Sequence, residues 1–221
     1  MALILIGSMA DSTYNRYSDI DLVWIKPRKL GYKRLKVLEN GLSLMAGRPV
    51  QLVQFTLIDL RRHFKDRSTM AHSIHKGVII YSSGNPNFAS LYRAPLGLPD
   101  INWMREWYQH WLRLYNIAYS MISREKHWSN KLSDKTGTVD DTIARVCVNF
   151  AILYLEKKGF VPVSRRQISL RARQYLSHKD FQGLRLALKY SGKDTAIPLE
   201  QAETILRTTR LLKSRLRYLK E

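Results

Sequence analysis

Hydrophobic and polar positions change their period about halfway along the chain. Through residue 99, short apolar runs alternate with polar connections: LILIGSM at 3–9, IDLVWIK at 20–26, VQLVQFT at 50–56 and GVIIYS at 77–82. Runs of this length, rich in Ile, Val and Leu and bounded by turn-forming residues, predict β-strands. Between them, 33–43 carries Leu35, Leu38 and Leu42 at spacings of three and four, which predicts a helix; 57–75 predicts another, with Thr56 as its N-cap. The stretch 84–100, GNPNFASLYRAPLGLPD, holds three prolines and predicts a linker. Beyond it the period is helical, with helices expected over 102–127, 139–158, 165–176, 181–189 and 199–219. Breaks fall at 133–137, 159–164, near His178 and at 191–198. The expected fold class is α+β: a small mixed-sheet domain at 1–97, then an all-α helical bundle at 98–221.

Charge adds a partner to this picture. The 221 residues carry 37 Lys and Arg against 18 Asp and Glu, a formal net charge of +19. The excess is spread along the chain, with 14 basic and 6 acidic residues through Pro99 and 23 and 12 after it. A distributed positive surface suits a protein that holds phosphates at many points, with polyanions as natural partners. The single cysteine, Cys147, excludes a disulfide framework and a thiolate metal site; inside an apolar helical pattern it reads as a buried structural thiol. The apolar opening is too short to span a bilayer and lacks the flanks of a signal peptide, so a cytoplasmic protein without membrane contact is expected.

The chemistry concentrates in GSMADSTYNRYSDIDL, residues 7–22. The strand before it ends in Gly7 and Ser8, where a missing side chain lets a triphosphate approach the backbone and a hydroxyl can join it. Ten residues later Asp19 and Asp21 stand at i and i+2 of the next strand, so their carboxylates project from one face while Ile20 and Leu22 turn to the core. Adjacent carboxylates repel unless cations neutralise them, the arrangement that holds a pair of Mg²⁺ ions. An Asp-x-Asp alone is as often a solvated cap. Joined to a strand, Gly-Ser and a polar spacer, it becomes specific.

On Gly7, Ser8, Ser18, Asp19 and Asp21 the chain resembles the polymerase-beta-like nucleotidyltransferases related to kanamycin nucleotidyltransferase. The resemblance implies that Gly7, Ser8 and Ser18 bind the phosphates of a nucleoside triphosphate and that Asp19 and Asp21 bind two Mg²⁺ ions and carry catalysis. It also implies a third carboxylate on a later strand. The matching position is Gln51, which can act neither as a base nor as an anionic ligand; Asp59, eight residues on, is the nearest acidic substitute. The expected activity is transfer of a nucleoside monophosphate from NTP to an acceptor hydroxyl, on RNA or on a protein. The alternative that Gln51 raises is a nucleotide- or RNA-binding protein without turnover.

In the second half, 141–173 and 197–216 resemble helices of HEPN domains, which often follow such transferases. That resemblance implies a homodimer formed through the helical domain. Some HEPN proteins are ribonucleases with Arg and His four to six residues apart, a third reading; Arg173 and His178 meet the spacing, as do Arg105 and His110, and Arg67 and His72. Trp103, Trp107, Trp111, Tyr115 and Tyr119 recur every four residues. Such a ridge packs a core or a dimer more often than it stacks on bases. Two basic segments, Arg165 to Arg173 and Arg207 to Arg217, are either solvated faces or phosphate contacts.

Overall fold

The structure, a computed structural model, describes residues 1–12, 14, 18–125, 131–133, 137–193 and 195–220, without the side chains of 121–138. The last two residues of the expected helix 102–127, the middle of the break at 133–137, four residues of the 7–22 motif and Asp194 therefore lie outside the described residues. The chain forms two compact units, Met1–Asp100 and Ile101–Glu221.

The first unit runs β1 (Ala2–Ile6), α1 (Gly7–Ala10), β2 (Ile20–Ile25), α2 (Tyr32–Ala46), β3 (Val50–Phe55), α3 (Leu57–Lys65), α4 (Thr69–His75), β4 (Val78–Ser82) and α5 (Pro86–Arg93). Its four-stranded sheet has the order β3-β2-β1-β4. β1 runs antiparallel to β2 and β4, and β2 parallel to β3, so the sheet is mixed. Alternation along the strands divides the core into two layers. Ala2, Ile4, Ile6, Val23, Ile25 and Phe55 face Leu60, Phe64, Ile74 and Phe88 of the helices α3 to α5. Leu22, Val50 and Leu52 face Leu35, Leu38 and Leu42 of α2.

Edge strand β3 is tied down by side chains. Glu39, buried in α2, accepts from the Leu52 N–H at 2.9 Å, and Ser43 Oγ accepts from the Val50 N–H at 2.9 Å. Two outer backbone donors that would otherwise lack partners are thereby satisfied.

Two expectations need correction here. The single helix expected over 57–75 is two helices: Arg67 takes a left-handed φ of 48° and Ser68 then caps α4, accepting from the Ala71 N–H. The stretch read as a linker contains α5. Asn85 caps that helix, Pro86 occupies its first turn where no N–H is needed, and Phe88 is buried in the core.

The second unit contains α6 (Ile101–Glu125), the short strands β5 (Lys131–Ser133) and β6 (Gly137–Thr138), α7 (Val139–Lys157), α8 (Arg165–Ala172), α9 (His178–Tyr190), α10 (Leu199–Arg215) and a closing 3-10 turn, Arg217–Leu219. α7 is apolar nearly all round and forms the centre, in contact with α6, α8, α9 and α10. Its first residues hold the loop before α10, with Asp141 accepting from the Gly192 N–H at 2.6 Å and Asp140 from the Ile197 N–H at 2.9 Å. Among the described residues no helix is long and apolar enough to cross a membrane.

Candidate functional site

Register brings the motif together at one end of the sheet. Ile6, the last residue of β1, lies opposite Asp21, and Asp21 lies beside Gln51 on β3. Asp21 and Gln51 share the face of Val23 and Phe55, beyond the point where the helices α3 to α5 cover it. Asp19, just ahead of β2, falls on the same side, and the Gln51 amide donates to its Oδ2 at 3.3 Å.

The chain then turns sharply at Gly7, whose φ is 71°. A Cβ there would stand 2.6 Å from Asp21 Oδ2, so only glycine leaves room between the end of β1 and the carboxylate. Ser8 follows in the short turn α1, and Ser18 lies one residue before Asp19. The five residues singled out in the sequence thus occupy the end of β1 and the start of β2.

Among the described residues, two carboxylates and a neutral amide stand together as donors. One or two carboxylates with substrate phosphates suit a magnesium ion bound together with a nucleotide. The gap kept open at Gly7 beside Asp21 fits such a group. A second ion would find one anion fewer than the family resemblance implies. Among the described residues no cluster of three or more His, Cys, Asp or Glu is arranged for a metal.

Asp59 does not substitute for the missing carboxylate. It sits on α3 in a capping box, accepting from the Thr56 N–H at 2.8 Å, and pairs with Lys29 at 2.9 Å. The Thr56 backbone, the Lys29 ammonium and the Thr56 hydroxyl hold its carboxyl down to about 2. Those partners fix its place at the start of α3.

A residue that the sequence reading passed over is Arg48. It follows the left-handed Gly47 that ends α2, and its Nη1 reaches 3.8 Å from Met9 Sδ in α1. A cation is thereby set beside the turn that carries Gly7 and Ser8. Its only sequence signal was position, three residues ahead of Gln51, in a chain where cations are abundant.

In the helical unit Arg173 ends α8 and His178 opens α9, where its Nε2 lies 3.1 Å from the Gln182 amide. Cys147 is fully buried, and burial pushes its thiol up to about 12. Trp111 and Tyr115 of the aromatic ridge are buried, whereas Trp103 and Trp107 are half-buried and Tyr119 is exposed.

Residues 2–75 match the family model described as Nucleotidyltransferase domain. No curated protein matches the chain. Among solved structures the chain is similar to spectinomycin adenyltransferase AAD(9) from Enterococcus faecialis, crystallised with ATP and spectinomycin. The identity is 13%, the match covers 98% of this chain and 91% of that one, and the TM-score is 0.52. A nucleotidyltransferase-like protein from Exiguobacterium sibiricum 255-15 matches at 14% identity over 99% and 70% of the two chains, with a TM-score of 0.45. The first likeness extends the shared fold into the helical region.

Proposed function

We propose that the protein transfers a nucleoside monophosphate from a nucleoside triphosphate to an acceptor hydroxyl, releasing pyrophosphate. The observation that carries the reading is the convergence of Gly7, Asp21, Asp19 and Gln51 at one end of the sheet. In it Asp19 and Asp21 hold magnesium, Gly7 and Ser8 receive the triphosphate with Arg48 beside them, and Ser18 adds a hydroxyl. A magnesium ion held there with the nucleotide would supply neutralisation of the phosphate charge, leaving the α-phosphorus open to in-line attack. The acceptor oxygen forms its bond to that phosphorus as the bond to pyrophosphate breaks, and the acceptor's proton leaves to solvent or a nearby base. A net charge of +19 favours an anionic acceptor, RNA before an acidic protein, over a small cationic one.

Gln51 supports a second reading, a protein that binds nucleotide without turnover. Its amide neither takes a proton nor adds the negative charge a second ion needs, and by donating to Asp19 it steadies the carboxylate without a metal.

The test incubates the protein with Mg²⁺ and each α-labelled nucleoside triphosphate, with total RNA or lysate as acceptor, beside Asp19→Asn and Gln51→Asp. Label transferred by wild type and lost in Asp19→Asn is the expected result. Asp19-dependent nucleotide binding without transfer, with transfer appearing in Gln51→Asp, would replace the first reading by the second.

A further inference from the structure

One face of the helical unit combines aromatic surfaces with a cluster of cations, and the proposed transfer chemistry uses neither. On α6, Trp103, Trp107 and His110 follow at i, i+4 and i+7 and form one continuous stack. Trp103 and Trp107 lie 5.7 Å apart at 17°, and Trp107 and His110 5.6 Å apart at 15°. Trp103 and Trp107 are partly buried, packed on one side against the core of the helical unit, and His110 is exposed. They line an open groove of about 750 Å³, together with Arg105, Arg113 and Lys220; Glu106 is its single acidic residue.

A second groove of about 550 Å³ adjoins it, since Lys220 lines both. Here Tyr115 and Tyr119 stack at 5.7 Å and 13°. Arg210 donates to the Tyr119 hydroxyl at 3.0 Å, and Lys213 sits 4.5 Å above the Tyr115 ring. Arg217 and Lys220 complete the positive wall, and no acidic side chain lines this groove. Among the described residues Arg113, Arg210, Lys213, Arg217 and Lys220 have no carboxylate partner.

We propose that this face of α6, the end of α10 and the closing turn is a binding groove for single-stranded nucleic acid, with bases stacking on the Trp103–Trp107–His110 tier and phosphates held by Arg210, Lys213, Arg217 and Lys220. Flat aromatic faces beside a cationic track are what a strand with unstacked bases requires, and they accept any base because every base has a π-face. A duplex keeps its bases stacked and offers this surface only phosphates. From Trp103 to Tyr119 the helix rises roughly 24 Å, enough for several nucleotides.

The charge state of the groove agrees with an anionic occupant. Burial, followed by Lys220, Arg210 and Arg217, holds the Lys213 ammonium below its ordinary range, and a phosphate among them would relieve that crowding. Burial and Arg113 hold His110 down as well, so its ring stays neutral near pH 7 and stacks as an uncharged face. The inference rests on the nucleotidyltransfer reading only in making the bound strand the acceptor; the binding itself needs neither NTP nor metal.

The experiment measures binding of a fluorescently labelled oligo(U) by anisotropy, in EDTA and without NTP, over a series of salt concentrations. A DNA strand of equal length, an RNA duplex and heparin serve as competitors. Wild type is expected to bind the single strands in preference to the duplex and heparin. Trp107→Ala should weaken binding about 5- to 100-fold at an unchanged salt slope, with Trp107→Phe restoring most of it. Lys213→Glu with Arg217→Glu should weaken it more than tenfold and flatten the slope by about 1 to 2. Circular dichroism melts establish that each variant is folded. Heparin competing as well as oligo(U), or Trp107→Ala binding like wild type, would reduce the face to a general polyanion patch and overturn the proposal. Duplex bound as tightly as single strand, or acidic proteins captured with no RNA binding, would overturn it too. Asp19→Asn separates the two readings: binding without transfer by wild type sinks the transferase and leaves the groove, whereas Asp19-dependent labelling of RNA that survives Trp107→Ala and the charge reversals sinks the groove and leaves the transferase.

Discussion

A methyl group at position 7 would meet the Asp21 carboxylate at 2.6 Å and would have to adopt a φ of 71° that non-glycine residues avoid. Backbone strain of that kind costs about 1–2 kcal/mol by itself. The remaining conflict is relieved only if Asp21 moves, and Asp21 is the residue proposed to hold the metal. Gly7→Ala should therefore lower stability by about 2 kcal/mol in urea denaturation and cut Mg²⁺-dependent nucleotide binding more than tenfold. In an Asp21→Ala background the same substitution should cost only the strain, a coupling that a double-mutant cycle measures. Strictly additive effects would mean that position 7 and Asp21 do not touch. That Asp19 and Asp21 share a face was legible in the sequence, because it follows from strand alternation; the family resemblance marked Gln51, but only the parallel register of β2 and β3 brings it beside them. Arg48 was not legible, since nothing local marks which of 37 cations a fold will bring to α1.

At the scale of elements, α9 and α10 cross tightly at Gly183. A Cβ there would stand 2.7 Å from the Thr204 carbonyl and collide with the Thr208 hydroxyl, which itself donates to the Asp180 carbonyl at 3.1 Å. Helix propensity favours alanine over glycine by about 1 kcal/mol, whereas forcing two packed helices apart costs about 1–3 kcal/mol. The steric effect should win, because the nearest obstacle that cannot rotate away is backbone. Gly183→Ala is expected to lose about 1–2 kcal/mol in urea denaturation; an unchanged or higher midpoint would mean that the helices cross more loosely. Elements with a clear apolar period, such as β1 to β4 and α7, were readable in sequence to within a few residues. α5 was not, since the proline that opens it and the two that follow it imitate a linker, and its apolar contacts, Phe88, Leu91 and Tyr92, are few. The division between α3 and α4 was equally hidden, because a non-glycine residue, Arg67, supplies the left-handed turn.

For the molecule as a whole, charge sets the behaviour. The ion pairs described, such as Lys29 with Asp59 and Arg145 with Asp141, engage only a small part of 37 basic residues, and exposed pairs contribute about 0–1 kcal/mol each. The unbalanced remainder repels itself over a Debye length of about 30 Å at 10 mM salt, but only about 8 Å at 150 mM. Repulsion summed over a surplus of +19 should outweigh the attraction lost when the few pairs are screened, so the sign of the salt effect is predictable. Raising NaCl from about 10 to 300 mM should raise the thermal midpoint by a few degrees, read by circular dichroism, since about 1 kcal/mol corresponds to about 2–4 °C at this size. A midpoint that falls instead would show that the ion pairs, not the surplus, govern stability. The same cations would make any polyanion bind less tightly as salt rises, so stability and binding should move in opposite directions along one titration. A polyanion seated on the positive surface neutralises it where it is densest. It should therefore stabilise the fold most at low salt, where the free protein is weakest, and add progressively less as NaCl does the same screening.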